Sequence, residues 1–85
     1  MDLSSSLVAL VAGTLTTIAF VPQVVRAWRT QSVADLSLGM LLTFSTGVAL
    51  WVYYGILVRE PPMILTNGIT LFLALMLVGM KLRGR

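Results

Sequence analysis

The chain contains no cysteine and no histidine among its 85 residues. Disulfides and thiolate metal sites are therefore excluded, and the usual protein ligands of zinc and haem are missing. No metal site and no cofactor are expected. Charge is also scarce, at 11% of residues, and what there is sits at the ends of apolar stretches. The net charge of +3 would suggest nucleic acid in a soluble chain, but basic residues at segment ends read as topology signals, and no nucleic-acid partner is expected. There is no nucleophile–base pair, no metal set and no phosphate-binding loop, so the chain does not read as an enzyme.

Apolar sequence is what the chain has in abundance: 58% hydrophobic residues and a mean hydropathy of +0.96. That is too apolar for a soluble domain of this size, and it defines an all-α integral membrane protein. Three stretches meet the requirement of about 20 residues to cross about 30 Å of hydrocarbon. They run approximately over residues 5–28, 36–58 and 62–82. The first connection holds Arg26, Arg29, Thr30, Gln31, Ser32 and Asp35, and the second is the tighter Arg59-Glu60-Pro61-Pro62. Prolines suit the first turn of a helix, where a backbone N–H has no partner in any case. Neither connection has room for a folded domain, so residues 1–85 read as a single membrane domain. Asp2 stands where a secretory signal would carry a basic residue, and the first apolar stretch is too long for a signal h-region, so it is expected to be retained. Arg26, Arg29, Lys81, Arg83 and Arg85 fall on one side and Arg59 alone on the other. The excess of positive charge predicts the N-terminus outside and the C-terminus in the cytoplasm.

Within the spans, a few residues depart from plain lipid-facing sequence. Pro22 lacks a backbone N–H, and its ring crowds the carbonyl of Ile18, which makes Val21-Pro22-Gln23 a point of bending or loosening late in the first helix. Asn67 lies five residues past Pro62, about 8 Å along a helix, and an amide at that depth needs a hydrogen-bond partner or water. Trp51 lies seven residues before Val58, about 10 Å from the same surface on the antiparallel neighbour, so the two share a level. Met40, Phe44, Gly47, Trp51 and Tyr54 follow one face of the second helix. Gly13, Thr16, Phe20 and Gln23 form a similar stripe on the first, and Thr66 and Thr70 flank Asn67 on the third. Hydroxyls, an amide and an indole, with no charge in mid-span, suit a neutral polyol better than an ion.

Each of these residues also has a structural reading. Trp28 beside Arg29 fits an interfacial anchor, and Trp51 is open to the same account. Asn67 would also serve as an amide bond between helices. Threonines in membrane helices mostly bond back to their own backbone, and glycines permit close packing. A structural or regulatory membrane subunit that moves nothing is the alternative from another class.

Phe20-Val21-Pro22-Gln23, the short basic connection, Leu50-Trp51-Val52-Tyr53-Tyr54-Gly55 and Leu65-Thr66-Asn67 together resemble a bacterial SemiSWEET, the three-helix half-transporter of the PQ-loop and SWEET group. The separation of 16 residues between Trp51 and Asn67 belongs to the same pattern. The resemblance covers almost the whole chain and implies a three-transmembrane-helix bundle that works as a parallel homodimer in the bacterial inner membrane. It implies a sugar uniporter for a mono- or disaccharide of the glucose or sucrose type, working by facilitated diffusion and alternating access. In that pattern Trp51 stacks on the sugar ring and Asn67 bonds its hydroxyls. Pro22 and Gln23 form a hinge, Phe20, Met40 and Phe44 an inner gate, and Tyr54 and Arg59 an outer gate. The basic gate residue of some relatives falls at Val58, one position before Arg59. The implied partners are a sugar, a second copy of the chain and the lipid bilayer. A PQ-loop transporter of another small metabolite is the nearer alternative.

Overall fold

The structure, a computed structural model, describes residues 3–84. Asp2 and Arg85, which entered the charge reading above, lie outside the described residues. The described chain forms three helices: α1 (Leu3–Thr30), α2 (Leu38–Leu57) and α3 (Pro61–Leu82). At 1.5 Å per residue they are about 42, 30 and 33 Å long, each long and apolar enough to cross a bilayer. The protein is a multi-pass all-α membrane protein.

The helix ends are set by local chemistry. α1 runs on to Thr30 and stops where Gln31 takes a left-handed conformation (φ 53°). Ser32 N–H then bonds back to Ala27 O at 3.1 Å, closing a Schellman-type turn. α2 begins two residues later than the apolar pattern suggests, because Ser37 caps it: Met40 N–H donates to Ser37 Oγ at 3.0 Å. It ends in a second Schellman-type turn. Arg59 is left-handed (φ 54°), Glu60 N–H bonds Gly55 O at 2.9 Å, and Arg59 N–H bonds Ile56 O at 3.2 Å. α3 follows at once, with Pro61 and Pro62 in its first turn. Gly55 suits the close reversal, for a Cβ there would lie 3.1 Å from Ile64 Cγ1 and press on that side chain.

In space the order is α1–α3–α2, with α3 packed against both neighbours and no close backbone approach between α1 and α2. The buried core gathers Val24 and Ala27 of α1, Leu41 of α2, and Leu77, Val78 and Met80 of α3 around Val33 of the α1–α2 connection. Val33 is a plug that closes the α1–α2 end of the bundle. Lys81 Nζ donates to its carbonyl oxygen at 3.4 Å, which ties the end of α3 to the connection. The whole measures 44 × 20 × 14 Å. The Cα trace is thinner in one direction than in the other two, so the chain is a flattened slab.

Candidate functional site

Because α1 and α2 both lean on α3 without meeting, a groove runs between them along one face of the slab. Toward the α1–α2 end its walls are bridged by Phe20 of α1 and Phe44 of α2, whose rings stack at 5.2 Å and 30°. Thr16, Ala19 and Gln23 of α1, and Met40 and Leu41 of α2, complete this part, a concavity of about 360 Å³. Phe20, Met40 and Phe44, named above as an inner gate, are thus brought together with Gln23. Further toward the same end, Gln23 and Leu36 also line a second recess of about 440 Å³ with Arg26, Thr30, Ser32 and Asp35. The apolar constriction therefore opens onto a polar mouth.

Pro22 lies inside α1, and the helix continues through it without a break. The missing N–H leaves Ile18 O without its usual partner one turn on. Gln23 is exposed toward the groove, so it and Phe20, expected above as hinge and inner gate, line one concavity.

Trp51 and Tyr54 stand toward the α2–α3 end. Their rings meet edge to face at 5.8 Å and 86°, a favoured aromatic geometry. With Gly47, Leu50 and Met63 they form an open hollow of about 610 Å³, and Trp51 is 54% exposed. The proposed stripe on α2 is therefore divided, with Met40 and Phe44 in one concavity and Gly47, Trp51 and Tyr54 in another. Asn67 does not line either of them. It is partly exposed on α3, and its Nδ2 donates to Met63 O at 3.0 Å, one turn back. Within a single chain, Trp51 and Asn67 are not gathered into one pocket.

Of the stripe residues, Thr66 and Thr70 depart from the lining expectation, while Gly13 follows its packing reading. Thr66 and Thr70 do not offer hydroxyls to a lining, because both are buried against α1. Thr66 Oγ1 donates to Pro62 O at 2.9 Å and Thr70 Oγ1 to Thr66 O at 2.9 Å. Burial claims them because a hydroxyl at a membrane helix contact must be satisfied inside the protein. Gly13 likewise serves the α1–α3 contact, where an added Cβ would come within 2.7 Å of Thr66 Cβ.

Glu60 is not marked out by the sequence pattern. It is the residue before α3, only 2% exposed, and its Oε1 makes no hydrogen bond. The signal that points to it is the turn itself. With Arg59 left-handed and Gly55 bare, Glu60 is folded inward while Arg59 is turned out to an exposed position. The carboxylate then sits at the N-terminus of α3, the favourable end of the helix dipole.

Comparison with known proteins brings these residues into a family. Residues 4–64 match the PQ loop repeat family. The sugar transporter SemiSWEET of Bradyrhizobium diazoefficiens is 43% identical over 77 residues, covering 91% of this chain and 90% of that protein. The sugar transporter SemiSWEET of Leptospira biflexa is also 43% identical over 77 residues, covering 91% of each chain. Among solved structures, a SemiSWEET crystallised in the inward-open conformation superposes with a TM-score of 0.85 at 35% identity, covering 96% of this chain and 95% of the other. A bacterial homologue of SWEET transporters gives 0.81 at 40% identity, covering 96% and 98%. The match spans the groove, the aromatic hollow and the helix order alike, and the chain belongs to the SemiSWEET group of the PQ-loop repeat family.

Proposed function

We propose that the chain is a sugar uniporter, passing a mono- or disaccharide down its gradient by alternating access through a parallel homodimer. The observation that carries this reading is the exposed Trp51–Tyr54 hollow on a slab 14 Å thin. One copy leaves its groove open, because α1 and α2 do not close on each other, whereas two copies facing each other across a two-fold axis supply six helices and put two Trp51 and two Asn67 side chains around one space. Sugar rings present apolar C–H faces edged by hydroxyls. An indole plane answers the first and an amide the second, and neither binds so strongly that release stalls. The relatives named above as sugar transporters support this choice of substrate.

In this reading the stacked Phe20 and Phe44, with Met40, close the path on the cytoplasmic side, and Tyr54 with Arg59 closes it on the outer side. Pro22 and Gln23 let the end of α1 move. The basic residues Arg26, Arg29, Lys81 and Arg83 put the α1–α2 end in the cytoplasm of a bacterial inner membrane.

The test is uptake of radiolabelled glucose and sucrose into proteoliposomes with no ion gradient, comparing the unmodified protein with Asn67→Ala at matched reconstitution. Saturable uptake by the unmodified protein that falls to the level of empty vesicles in Asn67→Ala is the expected result. Uptake that requires a proton gradient would replace uniport by coupled transport, with Glu60 the first residue to substitute. Absence of uptake for both sugars would turn the reading toward another small metabolite.

A further inference from the structure

The α1–α3 contact is more specific than packing alone requires. Thr17 of α1 places its Oγ1 2.8 Å from Thr70 Oγ1 and 3.3 Å from Thr66 O. Thr70 Oγ1 is itself 2.9 Å from Thr66 O. Two hydroxyl protons thus serve a triangle of three oxygens. Either Thr17 donates to Thr70 and Thr70 to Thr66 O, or Thr70 donates to Thr17 and Thr17 to Thr66 O. Both arrangements leave each hydroxyl donating one bond, so the triangle is satisfied in either direction. One turn earlier on α1, bare Gly13 lets the backbone rest on the Thr66 side chain.

Membrane helices have no hydrophobic drive to associate, so small residues and hydroxyl bonds of this kind set how they pack. The triangle spans Thr66 to Thr70, and Asn67 is the residue beside it on the same helical turn. A roll of about 20° about the α3 axis would carry an atom about 5 Å from that axis by nearly 2 Å, enough to misplace an amide that must meet a substrate hydroxyl. The triangle also lies on the N-terminal side of Pro22, in the part of α1 that a bend at the proline leaves behind.

We propose that Thr17 is a positioning residue for Asn67: the triangle of Thr17 Oγ1, Thr70 Oγ1 and the Thr66 carbonyl oxygen, seated by Gly13, holds the roll of α3 fixed against the first half of α1. Asn67 then keeps one orientation toward a polyol while the remainder of α1 moves. The consequence for substrate rests on the transport reading above; the helix junction does not.

Thr17→Val is the informative variant, since it keeps the shape and removes the hydroxyl, and Thr70 Oγ1 retains its bond to Thr66 O. Uptake in proteoliposomes is expected to show KM raised by about three- to tenfold with maximal rate within about twofold, and Thr17→Ser is expected to restore KM. An unchanged KM, or a serine variant as impaired as the valine, overturns the positioning role. The absence of cysteine permits a second readout independent of sugar. Spin labels at Val8 and Phe72, both exposed, are introduced through cysteines and diluted into excess unlabelled protein. Pulsed dipolar spectroscopy is expected to give one narrow distance in the parent, a broadened or shifted one in Thr17→Val and the parent distance in Thr17→Ser. A distance distribution indifferent to Thr17→Val removes the junction. If the unmodified protein moves neither glucose nor sucrose, the label distances still decide the junction, and the transport reading falls by itself.

Discussion

At the scale of single residues, Trp51 combines exposure with restraint. An indole more than half exposed loses contacts it would make in a core, yet its ring is held edge-on by Tyr54 at 5.8 Å. That is the state of a flat surface oriented before anything lands on it. An anchoring role would ask only for the bilayer interface and not for the hollow that Gly47 and Leu50 leave around it. If the indole stacks on a sugar, each aromatic plane contributes about 1.5 kcal/mol, and two planes per dimer contribute about 3 kcal/mol, or roughly a hundredfold. Trp51→Ala is therefore expected to lower uptake by about two orders of magnitude while the protein still elutes as a dimer from a sizing column. Trp51→Phe, which keeps a smaller plane, is expected to retain a measurable fraction of the rate. Near-normal uptake by the alanine variant would return Trp51 to the status of an anchor.

At the scale of elements, the two helix-ending turns explain what the sequence makes legible and what it hides. Three apolar runs bounded by charge and proline announce three helices, since hydrocarbon thickness leaves no other choice for stretches of that length. Pro61 and Pro62 mark the start of α3 equally openly. The left-handed residues that close α1 and α2 are Gln31 and Arg59, and neither is the glycine or asparagine that advertises such a position. The α1 end, the inward turn of Glu60 and the outward turn of Arg59 were hidden for that reason. The commitment of Thr66 and Thr70 to α1 was hidden too, because period alone does not say which neighbour a helical face meets. Phe20, Met40 and Phe44 were grouped only through the family resemblance, since pattern alone set Phe20 in one stripe and Met40 and Phe44 in another; the Phe20 and Phe44 rings do meet. Arg59 offers a direct test at this scale. A non-glycine residue in the left-handed region costs about 1 kcal/mol, so Arg59→Gly is expected to leave thermal stability equal or higher. If Arg59 also gates, the same variant will raise sugar leak through the outer side. Unchanged transport together with equal or raised stability would assign Arg59 to the turn alone.

At the scale of the whole molecule, the surface decides the argument. A compact soluble monomer of 9.2 kDa would expose about 4,900 Å², and this chain exposes 5648 Å². Leu, Val, Ile and Phe side chains lie open on all three helices, and lipid accounts for those on the outside of the slab. The concave surfaces are different: the α1–α2 groove carries Thr16 and Gln23 among its apolar residues, and the separate hollow toward the α2–α3 end carries Trp51 and Tyr54. In the proposed homodimer a second copy would cover these surfaces and make one route from two slabs. The sharing of one route has a numerical consequence. When unmodified and Trp51→Ala chains are co-reconstituted in equal amounts and pair at random, about a quarter of dimers are wholly unmodified. If each route needs both indoles, activity per total protein is expected to fall to about a quarter of the unmodified level. Independent single-chain routes would instead give about a half. Varying the mixing ratio separates the cases further, because the shared route follows the square of the unmodified fraction and independent routes follow it linearly. A linear dependence would mean that the slab conducts by itself, which the open groove between α1 and α2 argues against.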